Sequence, residues 1–382
     1  MEGREKKMNK YGRTAVYVHL DAVEKNFEQM KSNLKEGTRM FAVVKTDGYG
    51  HGAVPIAKRM EQKPYLFGFA VAALSEAAEL RANGITKPIL ILGSTFPEEY
   101  ETIVKEEIRT AVLSLDMAEK LSQEGQKQNK TVFIHLAVDT GMSRIGFADE
   151  EKSAEEILKI SRLPNIEIEG IFTHFSKADE SDQSYTMWQL QRFESFCGML
   201  SQKGVCGMLR HCSNSAALMQ LPQANMDLVR AGISIYGIYP SQEVATEPVK
   251  LTPVLEWKAK IAFVKEIPEG TLVSYGGTFR APGPMKIATI PVGYADGYPR
   301  SLSNRGYILV HGKKAPIVGR ICMDQFMVDV TGLKVQREEE VTLVGRDQGA
   351  KITVDELAAL SGRFPYEFVC DIGKRVPRIY MG

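Results

Sequence analysis

No apolar run in this chain approaches the roughly 18 residues that a membrane-spanning helix needs. The opening stretch, MEGREKKMNK, is charged where a secretory leader would be apolar. A cytoplasmic protein with no membrane partner is the expectation. Cysteine is scarce: Cys197, Cys206, Cys212, Cys322 and Cys370 are odd in number and lack C-x-x-C spacing. That pattern argues against a disulfide framework or a zinc site, and no metal is expected. An excess of one charge is missing too. With 48 basic and 47 acidic residues the net charge is +1, and the basic residues are scattered, so no field exists to hold a nucleic acid. Low-complexity tracts and fixed-period repeats are also absent.

What is present is the composition of an ordinary globular protein, 44% hydrophobic and 25% charged over 382 residues. That length exceeds what one hydrophobic core usually supports, so two domains are expected. From about residue 40 to 240, eight β-rich runs alternate with amphipathic stretches: FAVVK (41–45), FGFAVA (67–72), PILILG (88–93), TAVLS (110–114), VFIHLAVD (132–139), IEIEGIFTH (166–174), MLRHCS (208–213) and LVRAGISIYG (228–237). Eight such units predict an α/β protein with an N-terminal (β/α)8 barrel of the TIM type over residues 39–245. After that the texture becomes short strands punctuated by Gly and Pro, which predicts a mainly β domain over 246–382. The segment 1–38 holds a further strand-like run, TAVYVHL (14–20), expected to join the C-terminal sheet.

Chemistry in such a barrel sits at the C-terminal ends of the strands. Lys45, Asp139, Arg144, His174, Ser215 and Arg230 all fall at or just after those ends. Lys45 closes an apolar run and is followed by a turn with three glycines, FAVVKTDGYGHG. Either its ammonium reaches water or the fold uses it as a nucleophilic amine. Ser215, Gly232 and Ile233 follow the last two strands, where barrels commonly bind phosphate, and Tyr49 offers a hydroxyl to the same anion. These residues admit a sugar-phosphate aldolase, an enzyme holding pyridoxal phosphate on Lys45, or simply close-packed barrel glycines.

A resemblance separates these readings. AVVKTDGYGHG resembles the pyridoxal phosphate signature of the alanine racemases. VDTGMSRIGF, GIFTHFSKADE, HCSNSAA, VRAGISIYG, VSYGGTF, VGYADGYPR, GRICMDQFMVDV and YEFVCDIGKRVPRIY are similar to further motifs of that family, in the family's order, and together they span residues 41 to 380. The resemblance implies a homodimer in which each active site is completed by the other subunit. It implies pyridoxal 5'-phosphate held covalently by Lys45, with Tyr275 of the partner subunit as the second acid/base. Arg230 matches the arginine that donates to the pyridine nitrogen, and Arg144 the one beside the cofactor's phenolic oxygen. Tyr49, Ser215, Gly232, Ile233 and Tyr366 match the phosphate contacts. His174 matches the histidine beside the catalytic tyrosine and Arg230. Arg144, Met323 with its neighbour Asp324, and Tyr294 match the residues around a small amino-acid substrate and its entrance.

The implied reaction is interconversion of L- and D-alanine by two bases on opposite faces. The cofactor delocalises the α-carbanion, and an arginine at the pyridine nitrogen, which does not give up its proton, keeps that sink weak. A serine-preferring or broad-specificity racemase of the same family is the alternative. A non-catalytic pyridoxal-phosphate-binding barrel is a further one, disfavoured because such proteins lack the β domain that holds Tyr275.

Five positions, at three places in the chain, depart from the family's pattern. Thr46, Asp47 and Gly48 stand where Ala-Asn-Ala is usual, and Asp47 is expected to face outward or cap the next helix. Ala137 stands where many members carry a carbamylated lysine that balances the arginine matching Arg144, so a chloride ion is expected near Arg144 instead. Ser143 replaces a glycine.

Overall fold

Eight parallel strands build the first unit: β1 Arg39–Val43, β2 Leu66–Val71, β3 Ile89–Ile91, β4 Arg109–Val112, β5 Val132–Asp139, β6 Ile166–Phe172, β7 Leu209–His211 and β8 Leu228–Ala231. From β1 to β7 each pairs with the next, and β8 pairs with β1, whereas β7 and β8 share no ladder. The ring closes through two amides, Asp227 N–H to Arg210 O at 3.2 Å and Arg230 N–H to Ser213 O at 3.0 Å. Strands covered on both faces read as near-continuous apolar runs, which is why Phe41, Phe69, Ile89 and Ile134 are fully buried. The computed structural model describes residues 12–382; the charged opening stretch 1–10, expected to be no secretory leader, lies outside them.

Helices cover the ring because their apolar residues recur at helical spacing. Ala53–Met60 buries Ala53, Ile56, Ala57 and Met60. Leu115–Gln128 buries Met117, Ala118, Leu121, Ser122 and Gly125, starts under the hydroxyl of Ser114, and ends at a left-handed Asn129. Each fully buried Leu, Ile or Phe contributes about 2 kcal/mol from apolar area removed from water. Among the described residues, no helix is long and apolar enough to cross a membrane.

Only β5 matches its expected run in full. The fifth run's neighbours end at or before the expected C-terminal residue, and the last strand stops at Ala231, where Ile233–Tyr236 turns into a 3-10 helix. Lys45 is thus not a strand end. It opens a separate five-residue turn, Lys45–Tyr49. In each case the residues at the barrel mouth leave the pleat because they are used in turns rather than in the ladder.

The first unit comprises Val23–Gly48 and Ala53–Thr252; the second comprises the described residues up to Ala22, Tyr49–Gly52 and Pro253–Gly382. The second is a ten-stranded, almost wholly antiparallel sheet. Its strand Thr14–His19 lies antiparallel to Leu255–Lys260 and parallel to Arg378–Met381. Trp257, fully buried, donates its indole N–H to Thr14 at 2.9 Å. Its ring meets Tyr298 edge-on, and Tyr298 stacks on Phe326. A small hairpin, Leu272–Val273 with Phe279–Arg280, carries Tyr275 at its turn.

Candidate active site

The turn after β1 sets the position of Lys45. Thr46, Asp47, Gly48 and Tyr49 all have φ between 49° and 60°, one turn of left-handed helix closed by Gly48 N–H to Val44 O at 2.8 Å. Glycine adopts this conformation freely and aspartate with little strain, whereas a β-branched threonine does so at a cost of about 1–2 kcal/mol. Side chains hold the strained turn in place. Glu76 accepts from Thr46 N–H at 2.5 Å and from the amides of Ala72 and Ala73 at 2.7 and 3.2 Å. Asp47 accepts from Ala53 N–H at 2.8 Å and so caps the following helix, as expected for a carboxylate at a helix start.

Lys45 lines a cavity of about 280 Å³ together with Arg144, His174, Arg230, Ala137 and Phe172. The barrel therefore brings four of the expected site residues to one place. Arg230, 3% exposed, is held by five contacts, all from its two terminal nitrogens. One donates to His211 Nδ1 and O at 2.9 and 3.0 Å; the other donates to Thr173 O, Cys212 O and His174 Nδ1 at 2.8, 3.0 and 3.2 Å. Every acceptor is neutral. Its Nε–H has no hydrogen-bond partner among the described residues, and the residue lines the cavity, so this donor is left for a ligand. Burial lowers the guanidinium to about 10, so it is charged at neutral pH.

The same geometry decides the state of His174. A guanidinium only donates, so Nδ1 of His174 is bare and the proton sits on Nε2. Burial, and then the cations Arg230, Arg144 and Lys45, push its pKa down to about 3. The ring is neutral.

Arg144 is exposed on this chain and makes no ion pair among the described residues. Asp139, the last residue of β5, is used otherwise: it accepts from Gly141 N–H and Ser143 N–H at 2.9 and 3.0 Å. Ser143 sits at φ 57°, in the left-handed region that explains the family's glycine there. Ala137 is 2% exposed, against Ala111 and Phe172.

Ser215, Gly232 and Ile233 form a second cluster. The Ser215 hydroxyl accepts from Gly232 N–H at 2.9 Å and Ser234 N–H at 3.4 Å, and Asn214 caps the short helix that Ser215 opens. The hydroxyl is thereby oriented and all three residues are buried.

Tyr49, Tyr275, Tyr294, Met323 and Tyr366 belong to the other unit. Tyr49 and Tyr366 meet edge-on at 6.1 Å between ring centroids, and Tyr366 stacks on Phe364. Tyr275 is 71% exposed on its own chain. Its backbone is fixed by Ser274, at φ 64°, whose hydroxyl donates to Arg320 O at 2.6 Å. Met323 and Tyr294 are likewise exposed and share one scaffold: Tyr294 N–H and Ala295 N–H donate to Cys322 O and Met323 O at 3.1 and 3.0 Å. A side chain at Gly293 would lie 2.2 Å from Met323 O, so only glycine fits.

One residue here escaped the sequence analysis. Asp296, fully buried, accepts from Gly293 N–H, from both terminal nitrogens of Arg13 and from Arg375, which also bonds Asp324. An aspartate inside a GYADGY turn reads as turn chemistry, and nothing in its spacing announces two distant arginines.

Comparison with known proteins agrees with this geometry. The chain matches the alanine racemase N-terminal domain over residues 18–240 and the alanine racemase C-terminal domain over 254–380. The chain belongs to the alanine racemase family. It is 44% identical to an alanine racemase of Desulforamulus reducens, covering 96% of this chain and 98% of that one. Among solved structures it resembles the alanine racemase of Clostridium difficile 630 with a TM-score of 0.93 at 38% identity, over 97% and 96% of the two chains. It also resembles the Bartonella henselae alanine racemase with covalently bound pyridoxal phosphate, with a TM-score of 0.83 at 29% identity over 97% and 100%. The expected family, and the barrel with a separate mainly β domain, stand.

Proposed function

We propose that the barrel mouth racemises alanine with pyridoxal phosphate held covalently by Lys45, and that Tyr275 of the partner subunit is the second acid/base. The observation that carries this is a buried guanidinium, Arg230, with five neutral acceptors and one spare N–H, lining the same cavity as Lys45. That donor set fits a heteroaromatic nitrogen on an anionic cofactor. Ser215, Gly232, Ile233, Tyr49 and Tyr366 would hold its phosphate, and Arg144 its phenolic oxygen. When bound, the cofactor supplies the electron sink that makes the α-proton of an amino acid removable near neutral pH.

The chain's own residues do the rest. Lys45 Nζ takes or returns the α-proton on one face, and the phenol of Tyr275 does so on the other. Arg230 keeps donating and stays charged, so the sink is shallow and reprotonation outruns side reactions. His174, neutral with its proton on Nε2, offers a donor beside Arg230 and so orients the tyrosine. Met323 and Tyr294 of the partner subunit border a site for a small side chain, which favours alanine over bulkier substrates. A homodimer supplies both halves, and a chloride ion beside Arg144 takes the place of the carbamate that Ala137 cannot form.

The test is direct. Purified protein is expected to be yellow, to be fixed by borohydride with the label on Lys45, and to racemise L-alanine and D-alanine faster than the serine enantiomers. A protein that stays colourless with added pyridoxal phosphate ends this reading.

A further inference from the structure

Behind Arg230 lies a line of buried polar side chains to which neither the motifs nor the proposed reaction assigns a part. His211 Nε2 lies 2.8 Å from His135 Nδ1, and His135 Nε2 lies 3.0 Å from Glu169 Oε2. Glu169 is in turn gripped by Arg109, whose Nε and a terminal nitrogen each reach a carboxylate oxygen at 3.2 Å. Both imidazoles are fully buried. The four side chains come from β7, β5, β6 and β4, so only the closed barrel assembles them.

The proton positions along this line follow from its two ends. At one end Arg230 can only donate, so His211 Nδ1 is bare and its proton is on Nε2. That proton points at His135 Nδ1, which must accept, leaving the His135 proton on Nε2 and aimed at Glu169. At the other end Glu169 is a carboxylate that only accepts, and it demands the same arrangement. Burial opposes its ionisation, but the bonds from His135 and Arg109 outweigh this and hold it below the ordinary carboxylate range. The two ends agree, so every donor in the line meets an acceptor.

The surroundings are shaped for these rings. Gly170 lies opposite His135 in the β5–β6 register, and a side chain there would sit 2.4 Å from His135 Nδ1. Phe172 stacks on His211 at 5.0 Å, and Phe41 meets both imidazoles edge-on or tilted at 5.9 and 5.8 Å. Neither ring can turn over without displacing an aromatic neighbour.

We propose that Glu169 and His135 are positioning residues that act through His211: they lock its tautomer, so that Arg230 always finds an acceptor behind it and keeps its Nε–H aimed into the cavity. Reversing the line would place two donors face to face at His211 and Arg230. The guanidinium would then have to rotate or withdraw.

The experiment combines ¹⁵N-histidine NMR of the full-length protein with kinetics of the loaded enzyme. In the wild type, His211 and His135 should both show the neutral, Nε2-protonated tautomer; a charged ring or an Nδ1–H form at either overturns the proposal, whatever any variant does. Glu169→Gln presents an amide that can accept or donate, so His211 should show two tautomers and kcat should fall at least tenfold while KM stays within twofold. Glu169→Asp keeps an acceptor-only group and should restore the single tautomer and most of kcat. A folded Glu169→Gln protein with wild-type tautomers and wild-type kcat also overturns it. The kinetic arm rests on the proposed function and the NMR arm does not, so failure of one is distinguishable from failure of the other.

Discussion

At the scale of single residues, Arg144 and Ala137 decide how far this chain departs from its family. An arginine exposed on its own chain needs no fixed anion to be stable, since water solvates it. If, as proposed, a partner subunit and a substrate cover it, an uncompensated cation costs several kcal/mol. Chloride is small and asks for only a few N–H donors, and Ala137 offers only a methyl group where a lysine would reach toward the arginine. Racemisation in chloride-free acetate buffer is therefore expected to be several-fold slower than in the same buffer with chloride at constant ionic strength. Ala137→Lys should make the rate respond to bicarbonate instead. Equal rates in both buffers would mean that another side chain holds Arg144.

At the scale of elements, the barrel holds three neutral histidines, His135 and His211 fully buried on strands and His174 just past the end of β6 at the cavity wall. An unfolded histidine titrates near ~6.5. In the fold, burial and then neighbouring cations hold His174 at about 3. Burial likewise lowers His135 and His211, against the pull of Glu169 on the former. The folded values are depressed, so the unfolded chain binds more protons below ~6.5, and stability present above that pH is lost as pH falls toward the folded values. The loss is at most about 1.4 kcal/mol per pH unit for each ring. Most carboxylates titrate below ~5, so the urea midpoint should already fall between pH 6.5 and 5. A flat midpoint over that window would show that the imidazoles are protonated or wet in the native state.

The same elements show what could be read in advance. β5 was legible to the residue because VFIHLAVD is apolar on both faces, and Asp47 was legible as a cap because a carboxylate before a helix has few other uses. The left-handed turn at Thr46 was not, since only Asp47 and Gly48 favour that hand, and Thr46 and Tyr49 give no sign of it in their side-chain pattern. The line from Arg230 to Glu169 was hidden for a different reason. Its members stand on strands far apart in the chain, and a histidine in an apolar strand looks like any satisfied core histidine until closure of the barrel fixes its neighbours.

At the scale of the whole molecule, three side chains of the second unit are both exposed and held on fixed backbone. Tyr275, Tyr294 and Met323 are exposed by 71%, 43% and 52%, yet their backbones are pinned by Ser274, Gly293 and the Asp296 hub. Rigid, exposed aromatic and thioether groups are the composition of an interface rather than of a solvated rim. If they complete a second subunit's site, a Lys45→Ala chain and a Tyr275→Phe chain are each inactive but carry complementary lesions. A mixed dimer then holds one site with both groups intact and one with neither. Once the chains have exchanged fully, about half of the dimers are mixed and each has one of two sites working, so about a quarter of wild-type activity should return. Racemisation of D-alanine in the mixture, with heterodimers quantified by native mass spectrometry, measures it. Proven heterodimers with no recovered activity would place both groups within one chain, and the exposed tyrosine would need another explanation.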